Sequence, residues 1–277
     1  FGSRPSRLKA IPGARSGLPL LMTLAEADEG PSFEEGCPEP GAAQEQREEA
    51  AAAAAADAEA TVQRPFVRTP NPGRPWRVLC VGDSLTVDPG GGYPQHLQAL
   101  LNQDAKGRWA VKNFGVRGTT VFSVQGLPVY RRLPRLAPEL KLRSPDVVVV
   151  MLGSNNARKG CWEVEAFVTE YVKLLEQLRG STSSEALELL RLVLVLAPPR
   201  AWANKYGIDP ALTNGPLQAA VSCAARSLGL PLLDAATLLG EGHIDDGHLN
   251  DAGARVLAHH VRCMLFEQAA AAGFPGC

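Results

Sequence analysis

Five short apolar runs, "RVLCVG", "WAVKNFG", "DVVVVMLG", "RLVLVLAPP" and "LPLLDA", recur between Arg77 and Ala235, separated by longer stretches with apolar residues at helical spacing. Runs of this length that are apolar throughout, not only at alternate positions, fit strands covered on both faces. The intervening helical candidates are Tyr93 to Asn102, Pro128 to Leu142, Trp162 to Arg179 and Gly215 to Leu228. A last one runs from about Asn250 to Ala271, with Asn250 and Asp251 as capping candidates and Gly273 as a stop. Strands alternating with helices predict a parallel sheet with right-handed crossovers. The expected fold is a three-layer α/β/α sandwich around a five-stranded parallel sheet of flavodoxin-like type, spanning residues 74–273.

The sequence before it has another character. From Glu26 to about Arg74 it is rich in Glu, Pro and Gly, and "EQREEAAAAAAADAEA" favours a helix but offers no apolar stripe to dock with. Residues 1–73 are therefore expected to be a tail and linker, disordered or partly helical. Residues 1–22 carry Arg, Lys and Ser but no acid, a composition shared by organelle transit peptides and basic tails. An intracellular location is favoured, cytoplasmic or organellar.

Charge and cysteines exclude other classes. With 28 basic and 29 acidic side chains there is no global field to hold a polyanion, so no nucleic-acid partner is expected. The longest apolar runs are too short for a bilayer core of about 30 Å, so no transmembrane segment is expected. The six cysteines form no CxxC pair and no Cys/His cluster at ligand spacing, and are expected to be reduced. Gly90-Gly91-Gly92 lacks the Lys and Ser/Thr of a phosphate loop. Neither metal nor organic cofactor is expected.

In parallel sheets ligands bind outside the carboxyl ends of the strands. The polar residues found there are Gly82-Asp83-Ser84, Asn113 to Thr120, and Gly153-Ser154-Asn155-Asn156. Asp245-Asp246-Gly247-His248 precedes the final helix. Each group has an ordinary reading: Ser84 as a helix cap, Gly118 in a turn, Asn155 bonding its own loop, His248 as a surface residue. Together they make a chemical set. A serine hydroxyl needs a base to take its proton as it attacks, and imidazole has a suitable pKa. That base is His248, and a carboxylate three residues earlier in a tight turn, Asp245, can hold its other nitrogen. Asp246 is the rival, although side chains two apart tend to diverge in a turn. An oxyanion would meet the backbone NH groups of Ser84 and Gly118 and the side-chain amide of Asn155.

These motifs resemble the four blocks of the SGNH, or GDSL-type, hydrolase superfamily. "GDSL" is similar to the first block, with Ser84 as nucleophile, and "NFGVRGTT" to the second, with Gly118 at the oxyanion. "GSNN" is similar to the third, with Asn155 as donor, and "DDGHLNDAG" resembles the D-x-x-H block with Asp245 and His248. The resemblance runs from Arg77 to about Val261. One departure is Asn156, where the third block usually has Asp, leaving open which hydrogen bonds form there.

The resemblance implies a serine ester hydrolase working through an acyl-enzyme. A short acyl group, acetyl favoured, on a carbohydrate-like or small polar alcohol is the expectation. No long apolar insertion is present to build an acyl tunnel, and the loop "PPRAWANKYGIDPALTNG" mixes Trp202 and Tyr206 with Arg200, Asn204 and Lys205. Asp83, Arg117, Arg158, Trp202 and Tyr206 are candidate substrate contacts, with Trp162 also near the rim or, alternatively, a staple between helix and sheet. Lysophospholipase, acyl-thioesterase, O-acyltransferase and a non-catalytic binding module are the alternatives.

Overall fold

The computed structural model describes residues 74–87, 92–104, 107–124, 126–180 and 191–271. The expected tail, residues 1–73, and Gly90 and Gly91 lie outside them.

The five apolar runs form β1 (Trp76–Gly82), β2 (Trp109–Gly115), β3 (Val147–Met151), β4 (Leu192–Ala197) and β5 (Leu232–Asp234). They pair in parallel in the order β2-β1-β3-β4-β5, with Cys80 opposite Asn113 on one side and Val149 on the other. Alternation of side chains along each strand explains why the runs are apolar throughout. Leu79, Val81, Val148 and Val150 face one side, against Phe167, Tyr171 and Leu174 of α4 (Val164–Arg179) and Val221 of α6 (Pro216–Ser227). Val78, Cys80, Val147 and Val149 face the other side, against Tyr93 and Leu97 of α2 (Gly92–Asp104) and Leu257 and Val261 of α8 (Asp251–Ala271). This is the α/β/α sandwich. Burial pushes the Cys80 thiol up to about 12, and Cys80, Cys161, Cys223 and Cys263 are free thiols.

The segment expected as one helix from Pro128 to Leu142 divides. A 3-10 turn covers Tyr130–Arg132, and α3 starts at Leu136 and ends at Arg143. Pro134 is the cause: its ring drives the preceding Leu133 out of helical geometry, to φ −61° and ψ 125°. Three single-turn helices had no periodic signal: α1 (Ser84–Val87), α5 (Pro210–Thr213) and α7 (Ala235–Leu238). So had the two-stranded hairpin of β6 (Ile244–Asp245) and β7 (His248–Leu249).

At the edge opposite the strand carboxyl ends, Asp146 joins the starts of β1 and β3. Its buried carboxylate accepts from both terminal nitrogens of Arg74, at 2.7 and 2.6 Å, and from the amide of Arg77 at 2.9 Å. Such bidentate pairing fixes orientation as well as charge. No described helix is long and apolar enough to cross a membrane.

Candidate active site

The turn out of β1 is built around the absence of a side chain at Gly82. A Cβ there would lie 1.9 Å from Thr86 Oγ1 and 2.7 Å from the carbonyl oxygen of Met151, so only glycine lets the chain fold back against β3. Asp83 then caps α1. Its Oδ1 accepts from the amide of Leu85 at 2.9 Å, and its carbonyl accepts from Thr86 and Val87 at 3.2 and 3.3 Å. Because Asp83 is the cap, Ser84 is not consumed as one. Its hydroxyl lies 3.0 Å from Nε2 of His248, 164 residues away in sequence.

His248 arrives on the β6/β7 hairpin. The two turn residues, Asp246 and Gly247, have φ of +46° and +79°, the left-handed pair of a type I′ turn, for which Asp-Gly is a favoured sequence. The register sets Asp245 directly opposite His248. The backbone carbonyl of Asp246 favours the charged form of the imidazole. Burial, the strongest influence, holds the ring's pKa below its usual value, and the charges of Arg117 and Lys205 act in the same direction; the carbonyl and the carboxylate of Asp246 oppose them. Tyr206 meets the ring edge-on, centroids 4.9 Å apart.

The two aspartates differ in their contacts. The carboxylate of Asp246 is ion-paired with Lys205, which holds it below the usual carboxylate range. Asp245 is exposed, and its Oδ1 accepts from Asn250 Nδ2 at 3.4 Å. Asn250 also caps α8, accepting from the amide of Gly253 at 2.9 Å, as its position in the sequence predicts.

Asn155 sits in the 3-10 turn Ser154–Asn156 after β3. Its amide nitrogen donates to the carbonyl of Thr119 at 3.0 Å and to Asp83 Oδ2 at 3.3 Å. Asp83 is 1% exposed, and burial raises its pKa to about 7 against the opposing hydrogen bond from Leu85. Asn156 resolves the open question of the third block. Its Oδ1 accepts from the amide of Val121 at 2.8 Å while its Nδ2 donates to the carbonyl of Phe122 at 3.3 Å. A carboxylate could make the first bond but not the second. Gly118 has φ +72°, and a Cβ there would meet only Leu127, at 3.8 Å. Backbone conformation, not crowding, therefore calls for glycine.

Ser84, His248, Gly118, Asn155 and Tyr206 line one cavity of about 210 Å³, together with Asp83, Arg117 and Arg158. Asp245 and Trp202 are not among the residues lining it. Sequence reasoning missed Leu85, Ser154, Ile208 and Gly247, which also do. The only signal for Ser154 was its place beside Asn155. Two polar side chains of the 198–215 loop turn out to be engaged within the protein. Asn204 bonds the backbone of Trp202, Tyr206 and Ile208, and Lys205 pairs with Asp246. Trp162 packs on Phe167 at 5.2 Å, the staple reading. Among the described residues, no three His, Cys, Asp or Glu side chains gather as a metal site requires.

A hydroxyl against an imidazole, beside an amide donor in a small cavity, is an arrangement suited to acyl transfer. Comparison with known proteins points the same way. The sequence is 28% identical over 214 residues to an acetylxylan esterase of Xylanibacter ruminicola, an alignment covering 68% of this chain and 43% of that enzyme. The chain thus spans less than half the length of that relative. An inhibitor-bound aryl esterase of M. smegmatis superposes with a TM-score of 0.59 at 19% identity, covering 70% of this chain and 99% of the other. A carbohydrate acetylesterase family member from Sinorhizobium meliloti gives 0.57 at 21% identity, with 70% and 99% covered. Both likenesses concern the fold. Residues 80–256, including every block described above, match the model of one family, and the chain belongs to the GDSL-like lipase/acylhydrolase family.

Proposed function

We propose that the protein is a serine esterase that removes a short acyl group, acetyl favoured, from a carbohydrate-like or other small polar alcohol. The observation that carries this reading is the 3.0 Å contact between Ser84 Oγ and His248 Nε2 inside a cavity that also holds the Asn155 amide. The cavity, about 210 Å³, is below the about 300–1,000 Å³ of pockets for drug-sized ligands, which favours a small acyl group. The acetylxylan esterase relative and the carbohydrate acetylesterase of the same fold support acetyl.

In this reading Ser84 Oγ attacks the ester carbonyl carbon while His248 Nε2 takes the hydroxyl proton. A ring held below its usual pKa is neutral and able to accept that proton at physiological pH. In the proposed arrangement the Asp246 carbonyl accepts from the ring and fixes the tautomer, and the Asp246 carboxylate favours the imidazolium; Asp245, opposite His248 across the hairpin, is proposed to add to that charge. The tetrahedral oxyanion forms beside the amides of Ser84 and Gly118 and the Asn155 side chain. The Asn155 hydrogen directed at Asp83 is in the longer of its two bonds, and it is the one available to the oxyanion. Collapse breaks the bond to the alcohol oxygen, which receives the proton from Nε2. Water then attacks the acyl-serine by the same route in reverse, releasing the carboxylic acid and restoring Ser84.

The test is hydrolysis of 4-nitrophenyl esters from acetyl to palmitoyl, with acetylated sugars alongside, by the wild type and by Ser84→Ala. Activity highest on acetyl and abolished in the variant is expected. A maximum on long chains would overturn the short-acyl reading, and turnover surviving in Ser84→Ala would overturn the serine mechanism.

A further inference from the structure

The hairpin that carries His248 is held differently at its two ends. At the base, Leu249 is buried in the core with Ile244 packed against the same cluster, and the amide of Asn250 donates to the carbonyl of His243 at 3.0 Å. The tip, Asp246 and Gly247, joins strands of only two residues each. A ribbon this short has little stability of its own. Whatever meets the tip therefore governs where the neighbouring ring points.

The tip lies against the loop from Trp202 to Asp209. A Cβ at Gly247 would stand 3.4 Å from Asn204 Cβ and 3.5 Å from the Tyr206 ring. The Tyr206 and His248 rings meet with planes 89° apart and centroids 4.9 Å apart, an edge-to-face geometry that aromatic rings favour. Lys205 adds an ion pair to Asp246, but the two side chains are 69% and 44% exposed, and exposed pairs do little to fix a geometry. The ring contact is left as the brace.

The loop is itself held from within. Asn204 Oδ1 accepts from the amides of Tyr206 and Ile208 at 3.0 and 3.2 Å, and its Nδ2 donates to the carbonyls of Trp202 and Ile208 at 2.9 and 3.0 Å. Its far end is tied to the residues just after the Asn155 turn, where Ile208 bridges Arg158 and the amide of Asp209 donates to the carbonyl of Ala157 at 2.8 Å. One loop thus joins the segment that supplies the amide donor to the hairpin that supplies the base.

We infer that Tyr206 is a positioning residue for the base: held by the Asn204 loop, its ring braces the His248 imidazole in the orientation that meets Ser84. This rests on the serine-esterase reading of the same cavity. Tyr206 also lines that cavity, so the opposing assignment is a substrate contact. A brace aligns the reacting groups and acts on kcat, whereas uniform substrate binding acts on KM.

The experiment measures kcat and KM for 4-nitrophenyl acetate and for an acetylated methyl glucoside from about pH 5 to 9. The proteins are the wild type, Tyr206→Ala, Tyr206→Leu, Tyr206→Phe, Lys205→Met and Ser84→Ala, with folding checked by circular dichroism. Tyr206→Ala is expected to lose about 10- to 100-fold in kcat, the scale of a misplaced catalytic group, with KM within about threefold on both esters. Its acid limb in kcat/KM is expected to move upward, because burial depresses the imidazole and the uncovered ring is hydrated. The charged groups around the ring, Asp83, Arg117, Arg158, Lys205, Asp245 and Asp246, are unchanged in that variant. Tyr206→Phe keeps the ring and should restore kcat to within about threefold of the wild type. Tyr206→Leu keeps the bulk without the ring, should stay impaired, and carries the test if Tyr206→Ala does not fold. Lys205→Met should cost about threefold or less.

A loss confined to KM, an acid limb that stays in place, or a Phe variant as impaired as Ala overturns the inference. So does a larger loss in Lys205→Met than in Tyr206→Ala. Ser84-dependent cleavage with any of these results leaves the esterase standing without the brace. No cleavage of either ester by the wild type removes both.

Discussion

The orientation of His248 supplies a quantitative test, because the hairpin offers two different supports for one ring. In a triad where a buried carboxylate alone fixes the tautomer, replacing it with the amide costs about 10⁴-fold in turnover, largely because the wrong nitrogen carries the proton. In the proposed arrangement the carbonyl of Asp246, which favours the charged ring, accepts from it, and a backbone carbonyl survives any substitution of its own side chain. Asp245→Asn should therefore keep the tautomer and lose only the field of the charge. Directly opposed residues of an antiparallel pair have Cβ atoms about 5 Å apart, and Asp245 and His248 are such a pair. At that separation two unit charges interact by about 0.8 kcal/mol in water and about 3 kcal/mol at an effective dielectric of about 20. Those energies correspond to roughly 4-fold and 200-fold in rate. Since Asp245 is exposed, the loss should lie toward the lower end, about tenfold in kcat/KM.

Asp246→Asn is the paired control. It removes the partner of Lys205 and a negative charge that favours the imidazolium but that the Lys205 charge opposes; it leaves the carbonyl in place, and Asn tolerates the left-handed conformation that residue 246 adopts at φ +46°. Its kcat/KM should fall less than that of Asp245→Asn. Both are read by steady-state hydrolysis of 4-nitrophenyl acetate at pH 8, where the imidazole is neutral in every variant. A loss near 10⁴-fold in Asp245→Asn would refute the division of labour, showing the ring to depend on that carboxylate directly. A larger loss in Asp246→Asn would refute the assignment of Asp245.

Three further outcomes follow from the surroundings of the site. The acid limb of the kcat/KM profile should fall below pH 6.5, since burial and Arg117 both depress His248; Arg117→Gln removes one of these influences and should move the limb upward. Asp83, with its pKa raised to about 7, binds a proton in the folded state between about pH 4 and 7 that the unfolded chain has released. Its contribution therefore lowers stability as pH rises through that window, by up to about 4 kcal/mol, and urea titrations of Asp83→Asn should lack this slope. Asn156→Asp replaces the donor to Phe122 with a buried carboxylate and should cost about 1–3 kcal/mol at neutral pH, checked by denaturant midpoint; an unchanged midpoint would mean the 3.3 Å bond contributes nothing.

How far the sequence could be read depended on whether a feature is carried by side-chain identity. The five strands were legible because burial on both faces leaves an uninterrupted apolar run, as "DVVVVMLG" shows, and no solvated element produces that pattern. Ser84 and His248 were legible as a candidate pair because few residue types can act as nucleophile and base, and the fold brings them to 3.0 Å. What failed was whatever depended on short-range backbone geometry. The break at Leu133 was signalled by Pro134, but the apolar spacing on either side hid it. In the 198–215 loop the letters did not separate roles: the Asn204 amide is occupied by the loop's own backbone, which sets Tyr206, a predicted contact, against His248 in the cavity wall.

The support given to His248 by the Asp246 carbonyl marks the limit most clearly. Every residue has a carbonyl, so no residue letter announces one that accepts from a ring. It becomes visible only through the turn that aims it, and that turn was encoded, since Asp-Gly at 246 and 247 favours the left-handed pair of a two-residue hairpin. The same turn faces Asp245 toward His248 in register and sends the Asp246 side chain to Lys205. A D-x-x-H spacing read only as carboxylate and imidazole therefore omits the middle two residues. Their conformation determines whether the base is held by charge, by a carbonyl, or by both.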